Sequence, residues 1–115
     1  PQVSWVHFPT LPDSPYFERA QAYFPKGTSS VFSFGLKGGA EASKTFCGAT
    51  KLFSLLANVG DAKSLIIHPA STTHSQLSLA ELAAAKIRPE TIRLSIGLEN
   101  IDDLLEDLTQ AFEQL

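Results

Sequence analysis

The sequence predicts a small two-layer α/β (α+β) domain, with a mostly antiparallel or mixed sheet and helices packed mainly on one face. Three observations lead there. Strand-like and helix-like apolar segments alternate four times along the chain. Thr91 to Glu99 alternates cleanly, with Ile92, Leu94, Ile96 and Leu98 on one side and Arg93, Ser95, Gly97 and Glu99 on the other. Asn100 then reads as the cap of a helix with Asp102 and Asp103 in its first turn. Ile101, Leu104, Leu105, Leu108 and Phe112 make its apolar face.

The first strand falls at Val3 to Phe8, where Val3 and Trp5 alternate poorly with Ser4 and Val6. Pro9, Pro12 and Pro15, with Asp13 and Ser14, form the next turn. Pro15 suits the first helical position, where a missing N–H costs nothing. The helix Tyr16 to Phe24 then stops at Pro25 and Gly27. Ser29 to Leu36 reads as a strand ended by Lys37-Gly38-Gly39. A long helix is expected over roughly Ala40 to Ala57. Phe46, Phe53 and Leu56 mark one face, and Ala49 and Leu52 lie beside them. Asn58-Val59-Gly60-Asp61 breaks it. Ser64 to His68 is short, apolar and bounded by Pro69, and its Ile66 and Ile67 favour a buried strand. Ser78 and Glu81 have capping-box spacing, with Leu77 and Leu82 placed as a hydrophobic staple. This helix ends before Pro89.

The chain has 115 residues, one domain's worth and enough for a single core. Its 43% apolar content is ordinary for a globular protein. No apolar run approaches the ~20 residues of a spanning helix. No secretory signal is visible at the N-terminus, and no membrane partner is expected. A net charge of −3 argues against a nucleic-acid surface, which needs clustered cations. The chain starts at Pro1 and contains no Met, so it is expected to begin inside a longer polypeptide or after processing. The lone Cys47 cannot form an intramolecular disulfide and fits a reducing compartment.

Arg93 is the first candidate for chemistry. A strand fixes its direction, and Gly97 on the same face is expected to leave room for a ligand. Its planar guanidinium matches a carboxylate through two parallel hydrogen bonds. The alternative is a salt bridge with Glu99 further along the same face. The loop from His68 to His74 holds two histidines but no Asp, Glu or Cys, so a hydrogen-bonded loop is preferred over a metal site. Exposed amides between Asn58 and Asp61 could meet an anion; spacing alone favours an ordinary helix end and turn. Cys47 reads as a small packing residue. Lys37, Lys44 and Lys51, seven apart, read as a solvated stripe. Gly38 and Gly39 alone do not make a phosphate loop.

The strings SVFSFGLKGG, KLFSLLANVGDAKSLIIHPASTTHSQL and IRLSIGLENIDDLLEDL together resemble the C-terminal domain of the cystathionine γ-synthase-like, pyridoxal-phosphate-dependent enzymes of Cys/Met metabolism. They are most similar to the O-acetylhomoserine sulfhydrylase branch. The synthase and lyase branches more often show SLGG-x-ESL where this chain has NVGDAKSL. The resemblance covers nearly all of Val31 to Phe112, and the HFPTLPDSPY segment also fits.

The resemblance implies the smaller domain of a fold-type-I transferase, spanning residues 1–115 and silent alone, with pyridoxal phosphate bound mainly by a larger domain. The family's Schiff-base lysine motif has no convincing match: Ser43-Lys44 and Ala49-Thr50-Lys51 lack its context. No catalytic, cofactor-binding or metal residue is therefore assigned. Two substrate-binding residues are implied. Arg93, in the R-x-S-x-G-x-E strand, would hold the amino acid's α-carboxylate. Asn58 would contribute through its backbone. The implied parent is a cytoplasmic homotetramer in methionine biosynthesis that turns O-acetyl-L-homoserine and sulfide into homocysteine and acetate. The alternatives are cystathionine γ-synthase, O-succinylhomoserine sulfhydrylase or a γ-lyase, or a stand-alone, non-catalytic amino-acid-binding module.

Overall fold

The computed structural model describes all 115 residues. Strands β1 (Val3–His7), β2 (Val31–Leu36), β3 (Ser54–Leu55), β4 (Leu65–Ile67) and β5 (Thr91–Ser95) form one sheet in the order β1-β2-β5-β4-β3. Neighbours are antiparallel except β3 and β4, which run parallel. The helices are α1 (Phe17–Tyr23), α2 (Gly39–Ala49), α3 (Leu79–Ala84) and α4 (Ile101–Phe112), and a single 3-10 turn (Pro69–Ser71) follows β4. The mostly antiparallel sheet expected from the sequence is present. No helix is long and apolar enough to cross a membrane.

The period-two pattern of the strands separates the two faces. Ile92 and Leu94 on β5 lie opposite Phe34 and Phe32 on β2, and Leu94 also opposes Ile66 on β4. This face is sealed by α2 and α4. Phe46 of α2 is fully buried, edge-on to Phe34 at 5.8 Å and close to Phe112 of α4 at 4.6 Å. Burying such a ring contributes about 1.5–3 kcal/mol. Cys47 packs beside it as the sequence suggests; burial pushes its thiol up to about 12, so it stays protonated. The opposite face carries Arg93 of β5, between Ser33 of β2 and Ile67 of β4.

The long helix expected to Ala57 ends at Ala49, and Thr50 is already extended (φ −67°, ψ 141°). The cause is tertiary. Asp107 of α4 accepts from the amides of Lys51 (2.8 Å), Leu52 (2.8 Å) and Phe53 (3.3 Å), which a continuing helix would need for itself. The last carbonyls of α2 are capped by side chains: Thr50 Oγ1 donates to Cys47, and Gln110 Nε2 donates to Ala49. Phe53 therefore enters the core from a loop, and β3 follows where helix was expected.

Other differences are smaller. Pro15 lies outside α1, whose cap is Tyr16. The clean alternation of β5 stops being structural after Ser95, and Leu98 is 86% exposed. On α4, Ile101 and Leu105 are exposed, and the buried face is Leu104, Leu108, Ala111 and Phe112. The Asn100 cap, donated to by the Asp102 amide at 2.8 Å, and the Ser78–Glu81 capping box both form as the spacing predicts.

Candidate functional site

A cavity of about 220 Å³ opens on the sheet face that α2 and α4 leave uncovered. Three permanent cations line it: Arg93 from the sheet, and Lys86 and Arg88 from the segment between α3 and β5. His7 and His74 stand at its walls, and no Asp or Glu lines it. A positive concavity on a chain of net charge −3 is a local arrangement that favours an anion.

Arg93 is the cation whose direction is set most firmly. It sits at the middle of β5, in register with Ser33 of β2 and Ile67 of β4. Its guanidinium makes one side-chain hydrogen bond, donating from Nη2 to the Asn58 carbonyl at 3.3 Å. The only ion pair in the molecule joins Lys44 to Glu41, so Arg93 pairs with no carboxylate. A guanidinium has five N–H donors in a fixed fork, and most of this one's are left for a ligand.

Glu99, the alternative partner on sequence grounds, is turned the other way. Its carboxylate accepts from the Ser64 amide (2.7 Å) and the Ser64 hydroxyl (2.8 Å). The Ser64 amide's hydrogen bond, opposed by burial, holds the Glu99 carboxyl below the usual carboxylate range. Gly97 does not leave room for a ligand, contrary to expectation. A methyl group there would run into the Ala62 carbonyl and the Lys63 backbone, so this glycine allows one chain segment to lie directly on another.

Asn58 is brought to Arg93 through its backbone carbonyl. Its side chain works within the loop: Oδ1 accepts from the Val59 amide at 2.8 Å, and Nδ2 donates to Asp61 at 3.2 Å. Asp61 in turn accepts from the Lys63 amide at 3.0 Å, and that bond leads in holding its carboxyl low. The Val59 and Lys63 amides thus already have partners inside the loop. His68 is buried, with Nδ1 against Ser71 Oγ and Nε2 against the Pro89 carbonyl, each at 2.7 Å. Nε2 must be the protonated nitrogen, because a carbonyl can only accept. His74 Nδ1 meets Thr73 Oγ1 at 2.8 Å.

The sequence reading missed the cavity's aromatic wall. Trp5 lies against Gly35, where a side chain would overlap the indole. The indole Nε1 donates to Glu90 at 3.1 Å, the Arg88 guanidinium stands 5.3 Å over its ring, and His7 is 4.4 Å away. Glycine in a strand marking a close approach was the available signal.

Residues 1–113 match a family model described as Cys/Met metabolism PLP-dependent enzyme. O-acetyl-L-homoserine sulfhydrylase 1 of Thermus thermophilus is 56% identical over 111 residues, covering 96% of this chain and 26% of that protein. The O-acetyl-L-homoserine sulfhydrylase of Leptospira meyeri is 47% identical, covering 100% of this chain and 26% of its own. An O-acetylhomoserine (thiol)-lyase structure from Campylobacter jejuni, holding pyridoxyl-lysine-5'-monophosphate at its position 205, superimposes with a TM-score of 0.89. It is 54% identical, over 98% of this chain and 27% of that one. A cystathionine gamma lyase from Micromonospora echinospora gives the same TM-score at 34% identity, over 98% of this chain and 29% of that one. The chain spans about a quarter of the length of the curated relatives it matches.

Proposed function

The chain belongs to the Cys/Met metabolism PLP-dependent enzyme family, and from that premise we propose that residues 1–115 are the small C-terminal domain of an O-acetylhomoserine sulfhydrylase. The whole enzyme would convert O-acetyl-L-homoserine and sulfide into homocysteine and acetate. Identities of 56% and 47% to sulfhydrylases, against 34% to a cystathionine gamma lyase, support this branch over its neighbours. A homotetrameric, cytoplasmic parent is part of the same proposal.

The single observation that carries the residue assignment is the Arg93 fork: fixed by a central strand, free of any carboxylate, and aimed into a cavity without acidic lining. Arg93 would bind the α-carboxylate of the substrate with two parallel N–H···O bonds. That contact fixes where the substrate's Cα and its side chain lie, which is a positioning role. The Asn58 carbonyl would hold the guanidinium from behind through Nη2.

The lysines of this chain do not fit as carriers of pyridoxal phosphate. Every one is exposed, and Lys44 is paired with Glu41. The cofactor would be carried by the remainder of the parent. When bound it supplies an electron sink that loosens bonds at the amino acid's Cα and lets acetate leave.

The test is Arg93→Ala in the full-length enzyme. KM for O-acetylhomoserine should rise about 30-fold or more, in line with ~2 kcal/mol or more for a charge-assisted pair. Arg93→Lys should recover only part, because an ammonium cannot present the fork. An unchanged kcat/KM would sink the assignment. Assays with acetyl, succinyl and phospho esters of homoserine separate the sulfhydrylase from its relatives. Activity in the 115-residue chain alone would remove the domain reading.

A further inference from the structure

Arg93 is aimed by a carbonyl that belongs to an exposed loop, and what holds that loop is therefore part of the site. Residues 56 to 60 between β3 and β4 are all exposed. Inside the loop, Asn58 and Asp61 tie only their own neighbours. Its attachment to the rest of the molecule is concentrated at the far stem, residues 62 to 64, and comes from the chain just past β5. The Leu98 amide donates to the Ala62 carbonyl at 2.9 Å. The Gly97 amide donates to Ser64 Oγ at 2.8 Å, and Ser64 Oγ and N both donate to Glu99. Ser64 is fully buried, and Gly97 presses on Ala62 and Lys63 with no space for a side chain. Arg93, Gly97 and Glu99 belong to one continuous segment. The segment that carries the guanidinium thus also grips the loop whose carbonyl orients it.

On the footing of the Arg93 assignment above, we infer that Glu99, through Ser64, is a positioning residue for substrate binding: it clamps the Asn58–Lys63 loop so that the Asn58 carbonyl aims Arg93 at the carboxylate. The clamp touches neither substrate nor cofactor. Its effect falls on the binding of the amino acid and leaves the sulfide step alone.

The test is a double-mutant cycle in the full-length holoenzyme. Glu99→Ala should raise KM for O-acetylhomoserine about tenfold, with kcat within about twofold and the KM for sulfide unchanged. In an Arg93→Ala background the same change should move KM by less than about twofold, because no guanidinium remains to be aimed. Glu99→Gln keeps an acceptor for the Ser64 amide and should recover part of the loss. Hydrogen exchange over residues 58–64 should quicken in Glu99→Ala in both backgrounds, while KM responds in only one. If Glu99→Ala does not accumulate, Ser64→Ala decides, with an expected KM rise of about threefold that also vanishes without Arg93. Equal factors in both backgrounds, or a loss confined to kcat, would overturn the clamp. If Arg93→Ala itself leaves KM unchanged, the carboxylate assignment falls and the clamp with it. If Arg93→Ala raises KM and neither the Glu99 nor the Ser64 variant does, the clamp alone fails.

Discussion

The two faces of the sheet are built from the same strands, yet they divide the work of the molecule. On the covered face Phe34, Ile66, Ile92 and Leu94 are sealed under α2 and α4. On the open face Trp5, Ser33 and Arg93 surround a small positive cavity. A residue on the first face is held by its neighbours' surfaces and contributes mainly to stability. A residue on the second is held by directional bonds and contributes mainly to what the surface can bind. The period of two along each strand lets neighbouring positions such as Ile92 and Arg93 serve these different ends.

The sharpest way to break that division is to truncate one residue on each face. Phe46→Ala removes a fully buried ring that touches Phe34 and Phe112, and should cost about 3–5 kcal/mol in a denaturant or thermal melt. Arg93→Ala, whose cost in KM is given above, should change the same melt by no more than about 0.5 kcal/mol. A large stability loss at Arg93 would mean that the open face is also structural.

Asp107 is the exception on the covered side, a carboxylate only 7% exposed among apolar neighbours. Burial pushes its carboxyl up, but the amides of Lys51, Leu52 and Phe53 and the Gln110 side chain together outweigh burial and leave it lowered. A folded-state value below the unfolded ~3.9 means that the ionised group favours folding above about pH 4. That contribution is lost as the pH falls through the folded value. Asp107→Asn should cost about 2–3 kcal/mol at neutral pH, because an amide nitrogen would face backbone donors. It should also flatten the stability profile below about pH 4, since the group that titrates there is gone. An equally steep acid loss in the variant would place the effect on another carboxylate.

Asp107 also shows why part of the fold could not be read in advance. From Ala40 to Ala57 the local pattern supports a helix, and nothing nearby in sequence reveals that a residue on α4 will take three of its amides. β3 is too short to show a period. Signals contained within a few residues were legible: the Asn100 cap, the Ser78–Glu81 box and the core side of β5. For the site, alternation placed Arg93 on the polar side of its strand, but separating an anion site from a Glu99 salt bridge required the position of Ser64, 35 residues away from Glu99. The Trp5 wall was hidden for the same reason, because Gly35, Glu90 and Arg88 come together only in the fold.

The smallest effect should come where the two concerns meet, at Lys86. It is the one non-glycine residue with a left-handed backbone, φ 58°, and it also lines the cavity. The bend closes α3: the Lys86 amide donates to Ala83 and the Ile87 amide to Leu82, a pairing that normally takes glycine at the bent position. An L-residue there costs about 1–2 kcal/mol, while glycine gives back about 0.5–1 kcal/mol through a freer unfolded chain. Lys86→Gly should therefore stabilise the protein by about 0.5 kcal/mol in a denaturant melt. It removes one of the cavity's three permanent cations, so KM for the amino-acid substrate should rise by about twofold at low salt and return towards wild type at high salt. Higher stability with a salt-dependent KM would show that this residue is retained for its charge against the preference of its backbone. Lower stability would mean that packing of the lysine stem sets the bend.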